Sequence, residues 1–247
     1  MVSRVHDEPE ELTDSPVVIA VDPGGVTGWS ILKVHPEALS DPTVRILDNI
    51  EHHAHGQIIS PANSSDEMRC VDELTELVRQ WPGAAVLMED FILRMYSKGR
   101  ELLAPVRLNA MLGYSLRMQL GIEVTHLQQP SEAKTSVTDD RLKMWGFYEK
   151  DGGMGHARDA DRHAILFLRK AKDIQRGSTR RALWWPHLYA EGSPYYVPPL
   201  KKAKRTAGVM KPEGTPEQAE QAAASVLVPV FQPPRTRPSR KRSTMRG

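Results

Sequence analysis

The chain reads as an α/β protein: a central mixed sheet of five strands, helices on its flanks, and a basic tail behind it. Three observations predict this. Residues 17–33, VVIAVDPGGVTGWSILK, are two apolar runs joined by Pro-Gly-Gly, the pattern of a β-hairpin. Short apolar strands and amphipathic helical stretches then alternate to about residue 173, the order that builds a sheet covered by helices. Residues 201–247 carry too few apolar side chains to form a core and are expected to be disordered.

The elements follow in order. MVSRVHDEPEELTDS, residues 1–15, is acidic and polar, a flexible arm before the first strand. After the hairpin, Val44–Asn49 and Ala54–Ile59 read as one bulged strand or two short ones. Ser64-Ser65-Asp66-Glu67 is a helix start, and Met68, Val71, Leu74, Leu77 and Val78 continue it at helical spacing until Pro82-Gly83. AAVLMEDF, residues 84–91, is a buried-strand run. A helix over 101–120 tolerates Pro105 in its first turn. A strand over 121–127, a helix from Ser131 to Met144 and a last helix over 156–173 complete a domain of residues 16–175. Residues 176–200 form an aromatic and proline-rich extension, whose Trp184-Trp185 and Tyr195-Tyr196 dock on the body or stack on bases, with docking preferred. A short helix is expected over EQAEQAAASVLV in the tail.

Composition narrows the function classes. The single cysteine, Cys70, excludes an intramolecular disulfide and fits a reducing compartment. No run is long and apolar enough for a bilayer helix, and the N-terminal segment is not of signal-peptide type. Of 33 Lys/Arg and 31 Asp/Glu, 11 and three fall in residues 201–247, so the tail carries +8 and the rest −6. A basic tail on a slightly acidic body points to nucleic acid, because each cation set on a phosphate releases a condensed counterion.

Acids recur at the ends of apolar strands. Asp22 ends the first, and Glu89, followed by Asp90, ends the run over 84–91. A buried carboxylate there is costly unless neutralised, commonly by a metal ion; Asp before Pro-Gly is also ordinary turn chemistry, and this segment alone leaves both open. Adjacent parallel strands end on one sheet edge, so acids at two such ends converge, and a helix crossing the sheet brings further ligands. On the last helix His156, Asp159 and His163 fall within about 60° of one another, whereas Asp161 points about 160° from Asp159. His156 and Asp159 are therefore the better ligand pair, Asp161 is expected in a salt bridge or facing water, and His163 is left between supporting Asp159, touching metal and lying at the surface. Such a set of oxygen and imidazole donors suits one or two Mg²⁺ or Mn²⁺ ions, which can clamp a phosphodiester and activate water. His52, His53 and His55 look like a metal string, but alternate strand side chains face opposite ways, and no site is expected there.

These motifs carry a family resemblance. VDPGGVTGWSIL resembles the first hairpin of the RuvC-like Holliday-junction resolvases of the RNase H-like superfamily. AVLMED resembles their second acidic strand, and HARDADRHAILFL their closing helix, so the similarity covers about residues 16–172. The resemblance implies an RNase H-like fold with Asp22, Glu89 and Asp159 as catalytic acids and His156 as fourth metal ligand. It implies two Mg²⁺ ions, with Mn²⁺ as substitute, and hydrolysis of phosphodiesters in four-way junctions and other branched DNA. Arg94, Lys98, Arg100, Lys134 and Arg158 become candidates for DNA contact, as positioning cations rather than base readers. The helix over 101–120 would supply a homodimer face, and the long basic extension resembles phage-encoded members, placing the chain in the cytoplasm of a bacterial or phage-infected cell. The expected function is a Mg-dependent, structure-selective DNA endonuclease. The alternatives are an RNase H-like nuclease acting on RNA, flaps or forks, and an inactive nucleic-acid-binding scaffold, which the filled acid positions disfavour.

Overall fold

The computed structural model describes residues 12–61, 63–91, 100–123, 125–148, 154–173 and 177–198, with residues 100 and 101 by backbone alone. Five strands, β1 (Val17–Asp22), β2 (Val26–Val34), β3 (Ile50–Ile59), β4 (Ala85–Glu89) and β5 (His126–Gln128), form one sheet in the order β3-β2-β1-β4-β5. β2 runs antiparallel to β1 and β3, while β1, β4 and β5 are parallel. The helices are α1 (Glu37–Ser40), α2 (Ser64–Arg79), α3 (Ala104–Leu120), α4 (Pro130–Ser136), α5 (Asp139–Met144), α6 (Gly155–Lys172), α7 (Gly177–Trp184) and α8 (Pro186–Tyr189). This mixed five-stranded sheet with flanking helices is the architecture the RNase H-like resemblance implies.

β1 sits at the centre, so all six of its residues are buried, and VVIAV supplies apolar side chains to both faces. Strand alternation sorts them. Val18 and Ala20, with Leu32, Val34, Ala85 and Leu87, join the core beneath α6. Val17, Ile19 and Val21, with Ile31, Val86 and Met88, join the opposite core with Cys70, Leu74, Leu108 and Leu112 of α2 and α3. By the same period of two, Asp22, Ser30 and Glu89 belong to the α6 face.

α6 approaches the sheet closely because it presents Ala157, Ala160 and Ala164 to it. At its first turn the approach is tightest: a Cβ on Gly28 would lie 2.0 Å from the His156 carbonyl oxygen. Only glycine fits there, which accounts for Thr-Gly-Trp in the hairpin. On the other face Asn63 caps α2, its Oδ1 accepting from the Asp66 N–H at 3.0 Å, with Asp66 and Glu67 in the first turn. Gly121, at φ +65°, closes α3 in the left-handed conformation.

Several elements differ from the sequence reading. Residues 46–49 form a 3-10 turn, not strand, and β3 starts only at Ile50. The strand expected over 121–127 is β5, only His126–Gln128: Ile122 packs on the α2–α3 core instead of pairing, and Pro130 starts α4. The helix expected from Ser131 to Met144 is two, with Val137, buried in the α6-side core, as the corner between α4 and α5. Beyond residue 175, where regularity was expected to fade, α7 and α8 form. Trp185 is fully buried and donates its indole N–H to the Val17 carbonyl at 3.2 Å, and the Tyr189 hydroxyl donates to Pro36 O at 2.8 Å. These two aromatics dock rather than stack on bases. The arm over 1–11, the tail helix and the whole basic tail lie outside the described residues. Among the described residues no helix is long and apolar enough to cross a membrane.

Candidate functional site

Asp22 and Glu89 end adjacent parallel strands. The β1–β4 register pairs Val21 with Met88, so the two acids are the next pair along, on the face that α6 covers. The first turn of α6 sits above them, and Gln57 of β3 holds it: its side-chain oxygen accepts the His156 N–H at 2.9 Å and that of Ala157 at 3.4 Å. His156 thereby reaches Asp22, Nδ1 to Oδ2 at 2.7 Å. Glu89 accepts from Nε2 of the fully buried His163 at 2.8 Å, and Asn109 of α3 donates to the Glu89 carbonyl at 2.9 Å. Asp159 is paired with Arg162 and with Lys134, whose Nζ lies 3.0 Å from its Oδ2.

The electrostatics of this corner are unbalanced. Asp22 is 6% exposed, and burial pushes its pKa up. The His156 hydrogen bond works the other way, but the charges of Glu89 and Asp159 add to the rise, and the carboxyl stays above its ordinary value. His156 responds in kind: the bond to Asp22 raises its pKa against the opposing effect of burial. Partial burial works against the Lys134 charge, but Asp159, Glu89 and Asp22 together hold its pKa above the usual value. Asp22 Oδ1 and Glu89 Oε1 accept no hydrogen bond among the described residues. Two uncommitted carboxylate oxygens thus stand at neighbouring strand ends, one on an acid raised by burial and then by its like-charged neighbours, and such oxygens are the donors a hard divalent cation takes.

A second cluster lies one step along the same face. The β2–β3 register sets His53 opposite Leu32 and His55 opposite Ser30, so both imidazoles point at α6. There they meet Asp161: His53 Nε2 to Oδ1 at 3.0 Å, His55 Nδ1 to Oδ2 at 2.7 Å, with the Ser30 hydroxyl donating to Oδ1 at 2.7 Å. Burial alone would raise the fully buried Asp161, yet the bonds from His53, His55 and Ser30 outweigh it and hold the pKa below the ordinary value.

One expectation holds and one is corrected. Asp161 forms ion pairs, the first of the two alternatives expected for it, and does so inside the sheet–helix layer. The histidine string is half a cluster: His52 faces away and stacks against Trp81 at 5.1 Å, while His53 and His55, two apart, share a face. Spacing of two within a strand was the available signal; that Asp161 would stand above them was not. His163, left open on sequence, supports Glu89 and not Asp159. Lys134 stands inside the acid cluster, and the Arg158 guanidinium lies 4.6 Å above the Tyr148 ring. Arg94 and Lys98 lie outside the described residues, as does the side chain of Arg100. Gln57 and Asn109 were missed because uncharged side chains far along the chain have no motif to mark them, and Arg162 because an i,i+3 pair with Asp159 reads as an ordinary helix ion pair.

No family model matches the chain, and no curated protein does. Among solved structures it is similar to Thermus thermophilus RuvC, at 16% identity and a TM-score of 0.46, covering 63% of this chain and 95% of that one. It is likewise similar to T. thermophilus RuvC in complex with a Holliday junction substrate, at 15% identity and a TM-score of 0.44, covering 64% of this chain and 95% of that one.

Proposed function

We propose that this chain is a metal-dependent, structure-selective DNA endonuclease of the RuvC-like kind, hydrolysing phosphodiesters in Holliday junctions and other branched DNA. The observation that carries the reading is the convergence of Asp22 and Glu89 at adjacent strand ends beneath the helix turn bearing His156 and Asp159. Asp22, Glu89 and Asp159 would donate oxygens and His156 its imidazole to two Mg²⁺ ions, or Mn²⁺ in their place. Bound there, such ions supply activation of the attacking water and stabilisation of the leaving oxygen.

The remaining work falls to the chain's own groups. His163 fixes the rotamer of Glu89 through the 2.8 Å bond, leaving the opposite oxygen directed to the site. Lys134, half-exposed and held charged by the acids, is placed to meet a non-bridging phosphate oxygen. Arg94, Lys98, Arg100 and Arg158 would contact the backbone of the flanking arms, and the basic tail would add affinity without sequence preference. A homodimer fits the same reading: Met68 of α2 and Tyr114 and Met118 of α3 are exposed and line an apolar groove with Val71 and Met111.

Cleavage of a four-way junction in Mg²⁺ by wild type and Asp22→Asn, side by side, tests the assignment. Loss of a metal-binding carboxylate should cut the rate by about 10³-fold, about 4 kcal/mol of barrier, while junction binding stays nearly intact. Full activity of the variant overturns the proposal. A panel of junction, fork, RNA–DNA hybrid and single strand fixes the substrate class, and absence of Mg²⁺-dependent cleavage on all of them would identify a scaffold.

A further inference from the structure

We infer that His53, His55 and Asp161 form a second metal site, selective for a borderline transition cation of the Zn²⁺ class, which ties the edge strand β3 to α6. One ligand atom from each of the three residues lies within 4.8 Å of the other two. Two come from neighbouring same-face positions of one strand, and the third is a carboxylate delivered from the helix above. In a tetrahedral centre with bonds of about 2.0–2.1 Å, donors stand roughly 3.3 Å apart. The Asp161 oxygens lie 2.7 and 3.0 Å from the two imidazole nitrogens and the three ligand atoms within 4.8 Å of one another, so rotation of the side chains brings the donors to that spacing around an ion.

The donor chemistry distinguishes this site from the Asp22 cluster. Two imidazoles and one carboxylate suit Zn²⁺ and its neighbours, whereas Mg²⁺ prefers oxygen. The groups around the carboxylate are those a bound ion requires. Asp161 is fully buried, and the Ser30 hydroxyl, 2.7 Å from Oδ1, orients it. The His53 side chain keeps 26% of its surface, so the cluster is reachable from solvent on that side. The Phe147 ring packs edge-on against His53, 4.5 Å between centroids, and limits its movement.

The placement gives the ion a consequence. β3 holds the first turn of α6 through Gln57, and Asp161 lies on that helix two residues beyond Asp159. A cation bridging His53 and His55 to Asp161 locks the strand and the helix together directly beside the Asp22 cluster. It acts on the orientation of His156 and Asp159 and takes no part in bond breaking.

The test uses the full chain without a polyhistidine tag, stripped by chelator and then given Zn²⁺ in excess Mg²⁺. Wild type should retain one Zn²⁺ per chain through gel filtration, gain several degrees in thermal midpoint, and show tetrahedral visible bands with Co²⁺. His53→Gln should lose the ion and the thermal gain, while Asp22→Asn keeps both. X-ray absorption of the wild-type zinc protein should count two imidazole ligands, a readout that needs no variant to fold. Failure of wild type to retain Zn²⁺, equal retention by His53→Gln, loss in Asp22→Asn, or a ligand shell without two imidazoles would each overturn the inference. None of these readouts depends on nuclease activity, so it stands or falls separately from the endonuclease proposal.

Discussion

Two carboxylate–imidazole clusters share one face of the sheet and one helix, and their electrostatics run in opposite directions. Asp22 and Asp161 are both buried, at 6% and 0% exposure. Asp22 has one imidazole and two like-charged neighbours, and its pKa is raised; Asp161 has two imidazoles and a hydroxyl, and its pKa is lowered. Burial is common to both, so it does not decide the outcome. The count of donors against acids does. The first cluster is short of positive charge and leaves carboxylate oxygens uncommitted, while the second is satisfied by its own chain.

The sharpest way to break this contrast is to neutralise each acid in turn. Asp22→Asn should remove about 10³-fold of junction cleavage, yet leave the metal-free unfolding midpoint unchanged or higher, since a buried charge is lost. Asp161→Asn should do the reverse in folding: stripping the buried partner of two imidazoles costs about 3 kcal/mol in urea unfolding at neutral pH. The pH responses differ in sign as well. The folded-state value of Asp161 lies below 3.8, so its contribution is complete above that pH and is lost as pH falls through the folded value. The gap between wild type and Asp161→Asn should therefore close below 3.8. Asp22, raised above 3.8, is most favourable protonated, and its contribution is lost as pH rises through the folded value. The stability advantage of Asp22→Asn should appear only above it. Equal pH profiles for the two variants would show the clusters to be electrostatically alike.

A smaller effect is expected where the first cluster is supported rather than built. His163→Gln should lower cleavage by roughly 10–100-fold and raise the Mg²⁺ concentration needed, because Glu89 loses its orienting bond. Unchanged Mg²⁺ dependence would confine His163 to packing. Away from both clusters, the proposed homodimer face predicts a dimeric wild type and a monomeric Tyr114→Glu in analytical ultracentrifugation; equal masses for the two would remove the α2–α3 groove as that face. Truncation after residue 200 should weaken DNA binding and flatten its salt dependence with no change in metal response. An unaltered salt slope would show the tail to be idle.

Much of the fold was legible because it rests on local patterns. The hairpin follows from Pro-Gly-Gly between apolar runs, and the α2 start from small polar residues ahead of acids. The helical spacing of His156 and Asp159 already put them together. What failed locally failed for a tertiary reason. Residues 46–49 have strand-like composition but turn, because β3 pairs with β2 only from Ile50. α7 and α8 looked irregular because their apolar residues serve docking, as Trp185 does against β1.

The sequence by itself determined which strands end in acids, which helix carries the matching histidine and aspartate, and which face of each strand the acids share, since these are consequences of periods of two and 3.6 residues. Only the tertiary structure decided the pairings: His163 with Glu89, Lys134 with Asp159, and Asp161 between His53 and His55. Those contacts join residues separated by 25 to 108 positions, and their partners follow from strand order and helix placement. Spacing along the chain carries no information about either.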